Sequence, residues 1–397
     1  MAASRTILIA GAGIGGLTAA KALADKGFRI VLYEQAERLQ ETGAGIQLSP
    51  NATRALTALG LADKLEPHVV APQAVSIRQA ASGRELTRIP LGEDIAFRYG
   101  TPYWVVHRAD LQAVLLEAVK AHPDIVLKTG TRVEDFAMHA HGATIQLRQG
   151  LHASDERAIA FIAADGLWSR SRTRLTHEGP PRFRGRKAWR TMLDAEHVRD
   201  EFREPVVRLW LGRNAHLVHY PVSAGRLINV VAIVDDKTKG NDWSTPGRRE
   251  DILKYFAPRH WTTAARDLIN EAEQWQTWSL YDRPARRRWG HGAMTMLGDA
   301  AHPALPFIAQ GAAMAIEDAV TLAQCLSAHG AEPVQALRLY EGMRRRRVAR
   351  VQRTSRMTGR LYHLGGPLAT LRDAALARMG GEKLRERYDW LYDWRRV

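Results

Sequence analysis

Residues 6–20 read TILIAGAGIGGLTAA, and this stretch decides the fold. A short apolar run of strand length, residues 6–10, leads into Gly11-Ala-Gly13-Ile-Gly-Gly16, and an Ala/Leu-rich helix follows over residues 17–26 until Gly27 stops it. Residues 29–34, RIVLYE, form a second strand, so the glycines sit inside a βαβ unit. Gly11 permits the tight turn, Gly13 lets backbone approach a pyrophosphate, and Gly16 lets helix and strand pack closely. The helix start offers free N–H groups and a positive dipole end to the phosphates. Glu34 ends the second strand, where a carboxylate accepts the ribose hydroxyls of an adenosine. No Gly-Lys-Ser/Thr follows, which excludes a triphosphate-binding loop. The unit binds a dinucleotide and leaves FAD and NAD(P) both open.

Outward from that unit, the chain's 397 residues allow two or three compact units. Lys plus Arg number 57 against 42 for Asp plus Glu, and the net charge of +15 points to anionic partners: nucleic acid, acidic lipid, or small phosphates and carboxylates. The basic clusters are 286–288 and 344–347. The second lies on a predicted helix, 333–357, where four successive arginines spread around the cylinder and read as a solvated face. No zinc spacing or RNA-binding aromatic motif accompanies them, so neither a metal nor a nucleic-acid partner is expected. Arg5 and the apolar run after it mimic a signal peptide, but strand and turn account better for the glycine spacing, so a cytoplasmic protein is expected. No apolar run is long enough for a spanning helix. The single cysteine, Cys325, forbids an internal disulfide and fits a reducing compartment. The tail, residues 388–397 (YDWLYDWRRV), carries four aromatics and is expected to dock on the body or on a second subunit of a homodimer.

Further motifs follow along the chain. Ser49-Pro50 caps a helix running to residue 59, residues 75–88 form a hairpin around Ser82-Gly83, and residues 108–121 form an amphipathic helix. An apolar strand at 159–164 enters Asp165-Gly166-Leu-Trp-Ser169-Arg-Ser-Arg172. Another at 295–297 enters Gly298-Asp299-Ala-Ala-His302-Pro303, with a helix at 311–326 behind it. Such dipeptides ordinarily stabilise turns. At a strand end, however, the carboxylate stands on the carboxyl edge of the sheet, where open α/β sheets bind ligands. Residues 180–285 lack βαβ alternation and read as strands at 206–211, 216–222 and 227–234, a mainly antiparallel sheet. On the second of these, His216, Val218 and Tyr220 share one face, Leu217 and His219 the other.

Taken in order, GAGIGG, ADGLWSRSR and GDAAHP resemble the fingerprints of the single-component FAD-dependent aromatic monooxygenases of the para-hydroxybenzoate hydroxylase type, over about residues 5–355. Residues 43–52 (GAGIQLSPNA), 105–111 (VVHRADL) and 309–319 (AQGAAMAIEDA) are most similar to 3-hydroxybenzoate 6-hydroxylases, 6-hydroxynicotinate 3-monooxygenases and salicylate hydroxylases. The resemblance implies an α/β fold with three parts. A discontinuous Rossmann-like FAD-binding domain comprises 1–75, 105–178 and 286–330; an interleaved, mainly antiparallel β-rich substrate domain comprises 76–104 and 179–285; a helical segment, 331–397, ends the chain. It implies bound FAD, reduction by NADH or NADPH, and reaction with O₂ through a flavin C4a-hydroperoxide that hydroxylates a small carboxylated aromatic. A dehydrogenase or reductase without oxygen insertion is the alternative on the same fold.

The resemblance also assigns residues. Gly298 and Asp299 hold the ribityl chain, Arg108 contacts FAD, and Asp165 orders the pyrophosphate region, beside Gly11, Gly13, Gly16 and Glu34. His216 and Tyr220 orient and deprotonate a substrate phenol, and Gln310 touches its hydroxyl. Tyr103, His302 and Gln47 line the same pocket. The chemistry suits these residue types, because ring attack needs a partly ionised phenol and histidine is the base poised near neutral pH. Two departures, Arg78-Gln79-Ala80-Ala81 in place of an acidic residue before the Ser-Gly turn and Gln47 in place of a histidine, leave hydroxybenzoate, salicylate and hydroxynicotinate all open as substrate types.

Overall fold

The computed structural model describes residues 5–39, 43–140, 142–238 and 244–395. Strand Thr6–Ala10 is the centre of a five-stranded parallel sheet, flanked by Ala160–Ala163 and then Met294–Met296 on one side, and by Arg29–Tyr33 and then Ile125–Lys128 on the other. Ile7, Leu8, Ile9, Phe161 and Ile162 are fully buried, the run expected of parallel strands covered on both faces. Three strand ends feed the three fingerprints, and backbone bonds lock them side by side. Gly11 N donates to Tyr33 O at 2.7 Å, Ala164 N to Ala10 O at 2.8 Å, and Leu297 N to Ala163 O at 2.9 Å.

Helix Ile14–Ala24 starts earlier than the composition suggests, because Gly15 and Gly16 form its first turn. A Cβ on Gly16 would stand 1.8 Å from Gly11 O, so only a bare residue lets the helix settle on the turn. The helix packs on Arg108–Lys120 and on the buried helix Gly311–Ala328.

An eight-stranded sheet carries the other half of the molecule. Its order is Ser244–Gly247, Trp275–Asp282, Arg182–Asp194, Leu227–Asp235, Ala215–Val222, Val206–Gly212, Ala74–Gln79, Glu85–Pro90. Every pairing is antiparallel except that of Val206–Gly212 with Ala74–Gln79, which brings the predicted hairpin into this sheet. One face of the sheet buries Trp210, Leu217, Val230 and Ala232 beneath short helices. The other turns toward the parallel sheet. Strands Arg182–Asp194 and Trp275–Asp282 escape a reading by alternation, since RFRGRKAWRTMLD is charged on both faces and bulged between Phe183 and Lys187. A meander over Arg132–His139, Gly142–Gln149 and His152–Ala158 is likewise unannounced by its polar sequence.

The C-terminal region is helical. Helix Pro333–Tyr362 runs past the expected residue 357, and Gly366–Glu386 follows, broken at Gly380, whose φ is 72°. The arginine cluster corrects the solvated-face expectation. Arg344 is 1% exposed and faces Glu317 and Asp318 of the buried helix, and Arg347 also reaches Glu317. The aromatic tail docks on the body: Leu391 and Trp394 join the main core, and Arg347 donates to the carbonyls of Trp390 and Leu391. Among the described residues, no helix is long and apolar enough to cross a membrane.

Candidate active site

A cavity of about 1080 Å³ is lined by the carboxyl edge of the parallel sheet, by the open face of the eight-stranded sheet and by the C-terminal segment. At the parallel-sheet edge, the glycines divide into two kinds. Gly11, at φ +100°, and Gly16 are required by the protein itself, for a Cβ on either would strike backbone at 2.4 Å or closer. Gly13 has ordinary dihedrals, no atom of the described residues within 4 Å of where its Cβ would stand, and a place in the cavity wall. Its bareness serves the cavity.

Carboxylates stand around that edge. Glu34 accepts from the N–H of Ala12 and of Ala36, each at 2.9 Å and each on a different oxygen, leaving one lone-pair site on both. Asp165 Oδ2 accepts from Ser171 N at 3.1 Å, but its Oδ1 is buried with no partner among the described residues, and burial raises its pKa against the pull of Ser169 and Ser171. A buried carboxylate oxygen left unbonded is rare unless something else bonds it. Asp299 lines the cavity and makes no hydrogen bond to the described residues. Enclosure raises its pKa, while His302 and Arg108 draw it back. Gly298, Gly311, Ala312 and Arg108 complete this wall, so the start of helix Gly311–Ala328 also fronts the cavity. Bare glycine backbone, helix N-termini and unpaired carboxylates fit a dinucleotide rich in hydroxyls, as FAD is. The second fingerprint has a structural partner in the third: Arg172, fully buried, donates to Ala301 O at 2.7 Å and Ala300 O at 3.3 Å.

The substrate end is built by strand register. Leu211, His216, Ile233 and Ala188 form one row across the sheet, and Leu209, Val218, Val231 and Arg190 form the next. Tyr220 pairs with Asn229 in the row beyond. His216, Val218, Tyr220 and Arg190 all line the cavity. His219, on the reverse face, packs instead on Phe202 and Trp210. Tyr103 donates to Gln47 Oε1 at 2.7 Å, and both residues line the cavity with Tyr220. Burial raises the Tyr220 phenol, with Arg190 and Gln47 pulling the other way. His216 is 2% exposed; burial pushes its pKa well below the usual value, and His363 and Arg186 add to this.

The charged run of strand Arg182–Asp194 hides Arg190 from a reading by alternation, and the register of that strand places it beside Val231. Its guanidinium lies 4.9 Å from the Trp278 ring and meets no carboxylate among the described residues. Burial and the positive charge of Arg108 lower its pKa to about 10. Such a cation calls for an anion.

Two sequence candidates stand apart. The Gln310 side chain donates to Ser49 Oγ at 2.8 Å and accepts from Asn51 Nδ2 at 3.2 Å. His302 Nε2 lies 2.5 Å from Asp318 Oδ2, under the Trp289 ring. Both side chains are spent on the buried scaffold behind the wall, and neither residue borders the cavity. The tail closes the far side, where Tyr392 meets Tyr99 and Tyr103 edge-on at 5.8 and 6.1 Å. Among the described residues no cluster of His, Cys, Asp or Glu could hold a metal.

Comparison with known proteins agrees with this geometry. The FAD binding domain family matches residues 4–355. The chain is 34% identical over 396 residues to a 3-hydroxybenzoate 6-hydroxylase of Klebsiella oxytoca, covering 100% of this chain and 98% of that one. It is 38% identical over 390 residues to a 3-amino-4-hydroxybenzoate 2-monooxygenase of Streptomyces platensis, covering 97% and 95%. Among solved structures, Klebsiella pneumoniae HpxO complexed with FAD and uric acid is similar at a TM-score of 0.84 and 26% identity, over 96% of this chain and 95% of that one.

Proposed function

The chain belongs to the FAD binding domain family and is a flavin-dependent aromatic monooxygenase, and we propose that its substrate is a small aromatic acid bearing a ring hydroxyl, with NADH or NADPH as electron donor. The relatives are named for oxygen insertion, which favours that outcome over a dehydrogenase on the same fold. When bound, FAD supplies the electron transfer and the activation of O₂. The glycine turn and the N-terminus of helix Ile14–Ala24 hold its pyrophosphate, Glu34 a ribose, and Asp299 with Gly298 the ribityl chain.

The chain's other residues handle the substrate. Arg190 takes the carboxylate, since an unpaired cation inside a protein is stabilised by a counter-ion. Tyr103, Gln47 and Tyr220 orient the ring hydroxyl. His216, neutral because burial disfavours its charged form, accepts the hydroxyl proton and so enriches the ring for electrophilic attack. Tyr388, Trp390 and Tyr392 close the wall against water. The observation that carries this reading is the placing of base, phenol and unpaired cation on one sheet face: His216, Tyr220 and Arg190.

The test follows NADH and NADPH oxidation with 3-hydroxybenzoate, salicylate, 3-amino-4-hydroxybenzoate and 6-hydroxynicotinate under ¹⁸O₂. One of these acids should stimulate oxidation and yield product carrying a single labelled oxygen. Unlabelled product would overturn the monooxygenase reading, and equal activity on the decarboxylated phenols would overturn the role of Arg190.

A further inference from the structure

Behind the cavity wall, His216 Nδ1 lies 2.8 Å from His363 Nε2, and His363 Nδ1 lies 2.6 Å from Asp235 Oδ1. We propose that Asp235, His363 and His216 form a proton relay that fixes His216 as the base and carries the substrate's hydroxyl proton from the enclosed cavity to solvent. The proposal rests on the hydroxylase reading above and adds two positioning residues to it, one of them outside the eight-stranded sheet.

Three separate segments build this line. His216 is the second residue of strand Ala215–Val222, Asp235 ends strand Leu227–Asp235, and His363 follows helix Pro333–Tyr362. Backbone bonds through Asn214 tie them together: Asn214 N donates to His363 O at 3.2 Å, and Asp235 N donates to Asn214 O at 2.8 Å. Exposure rises outward along the line: His216 is 2% exposed, His363 5%, and the Asp235 side chain 37%. One end borders the cavity, and the other reaches water.

Hydrogen-bond logic sets the tautomers. An ionised Asp235 can only accept, so His363 carries its proton on Nδ1 and offers a lone pair at Nε2. His216 then carries its proton on Nδ1 toward His363. Its Nε2 has no hydrogen-bond partner among the described residues and is the free base of a residue lining the cavity. Arg186 donates to Asp235 Oδ1 at 2.7 Å and keeps it charged. Burial alone would raise Asp235, but His363 and Arg186 together hold it low. The other groups facing the line are Arg372 toward His363, and the rings of Tyr362 and Phe307 toward His216. Burial and these cations lower both imidazoles, so a proton passes through them and does not lodge.

The steps balance in protons and move no electrons between oxidation states. The ring O–H gives its proton to His216 Nε2, and the Nδ1–H of His216 passes to His363 Nε2. The Nδ1–H of His363 then passes to Asp235 and on to water. The phenolate remains in the cavity.

The test uses the FAD-loaded enzyme with Asp235→Asn, His363→Phe, the rescue variant Asp235→Glu, and His216→Ala as reference. The first readout is the pH at which a bound hydroxybenzoate shows phenolate absorbance, taken without NAD(P)H. Asp235→Asn and His363→Phe should raise that midpoint by about one unit or more, a tenfold change in the ionisation constant. They should also slow phenolate formation on the order of 10²-fold, with flavin content and melting temperature retained. Asp235→Glu should recover most of the loss. A midpoint moved by His216→Ala but by neither of the other two would overturn the relay. If no acid of the panel binds, the aromatic-acid reading fails, yet the ¹⁵N spectrum of the ligand-free protein still decides. His216 protonated on Nδ1 in the wild type and on Nε2 in Asp235→Asn supports the relay, and Nε2–H in the wild type overturns it.

Discussion

The Nε of Arg344 lies 2.6 Å from Asp318 Oδ1, with both side chains 1% exposed or less, and this buried pair stands directly behind the third fingerprint. The other oxygen of Asp318 accepts from Gly298 N at 3.0 Å and meets His302 Nε2. Arg344 also pairs with Glu317, which Asn51 and Arg347 share. Arg344 and Arg347 thus balance two adjacent buried carboxylates, of which Asp318 positions the Gly298-Asp299 turn.

Arg344→Met should therefore cost about 3–5 kcal/mol in urea unfolding, because it strands charge in the core. Arg344→Lys should recover only part, as an ammonium lacks the planar fork that reaches both acids. The pH dependence has a fixed sign. Burial alone would raise Asp318, but His302 and Arg344 hold it below its usual value. Its stabilisation is present above the unfolded carboxylate's pKa and is lost as pH falls through the folded one. Acid unfolding of Arg344→Met should begin at higher pH than in the wild type. An unshifted acid limb would show that the pair contributes nothing.

Gly13 and Gly16 should part company when each is changed to alanine. The Gly16 Cβ would meet Gly11 O at 1.8 Å, so Gly16→Ala lowers both the melting temperature and the bound flavin. The Gly13 Cβ meets no atom of the described residues within 4 Å, so Gly13→Ala should melt like the wild type as apoprotein yet retain little flavin after gel filtration. Full flavin retention in Gly13→Ala would refute the assignment of that turn to the pyrophosphate.

The division between what could and could not be read from the sequence follows from periodicity. GAGIGG, ADGLWSRSR and GDAAHP each follow an apolar strand, so local sequence places them on one sheet edge, as the parallel pairing of Thr6–Ala10, Ala160–Ala163 and Met294–Met296 does. His216 and Tyr220 were found by alternation along one strand. Arg190 was not, because charges on both faces of Arg182–Asp194 hide its period. His363 and Asp235 lie 128 residues apart, and nothing local announces a contact made by a helix end with a strand end. The arginines at 344–347 misled for a related reason: a charge run looks solvated unless its acids, here Glu317 and Asp318 on another helix, are known to be buried.

Arg190→Met should raise KM for a carboxylated substrate by roughly 10- to 100-fold, the worth of a charged hydrogen bond, with kcat less affected and flavin content unchanged. The carboxamide of the same substrate should bind wild type and variant alike. An equal loss on acid and amide would mean that Arg190 serves the fold or the flavin and not the carboxylate.

Tyr220 and His216 should be separable by their pH profiles, because burial drives their pKa values in opposite directions. The raised phenol keeps its proton throughout the working range and can only donate to the substrate oxygen, whereas the lowered imidazole stays neutral and can accept. Tyr220→Phe should therefore leave the acid limb of kcat/KM where it is and reduce product formed per NAD(P)H oxidised, since a phenolate that forms but is not held misaligns the ring. His216→Ala should instead move the acid limb toward the free substrate's own pKa and lower the rate below it by about 10²-fold or more, with flavin still bound. Product quantified against NAD(P)H consumed, across pH, distinguishes the two, and identical profiles for both variants would remove the acid–base division between these residues.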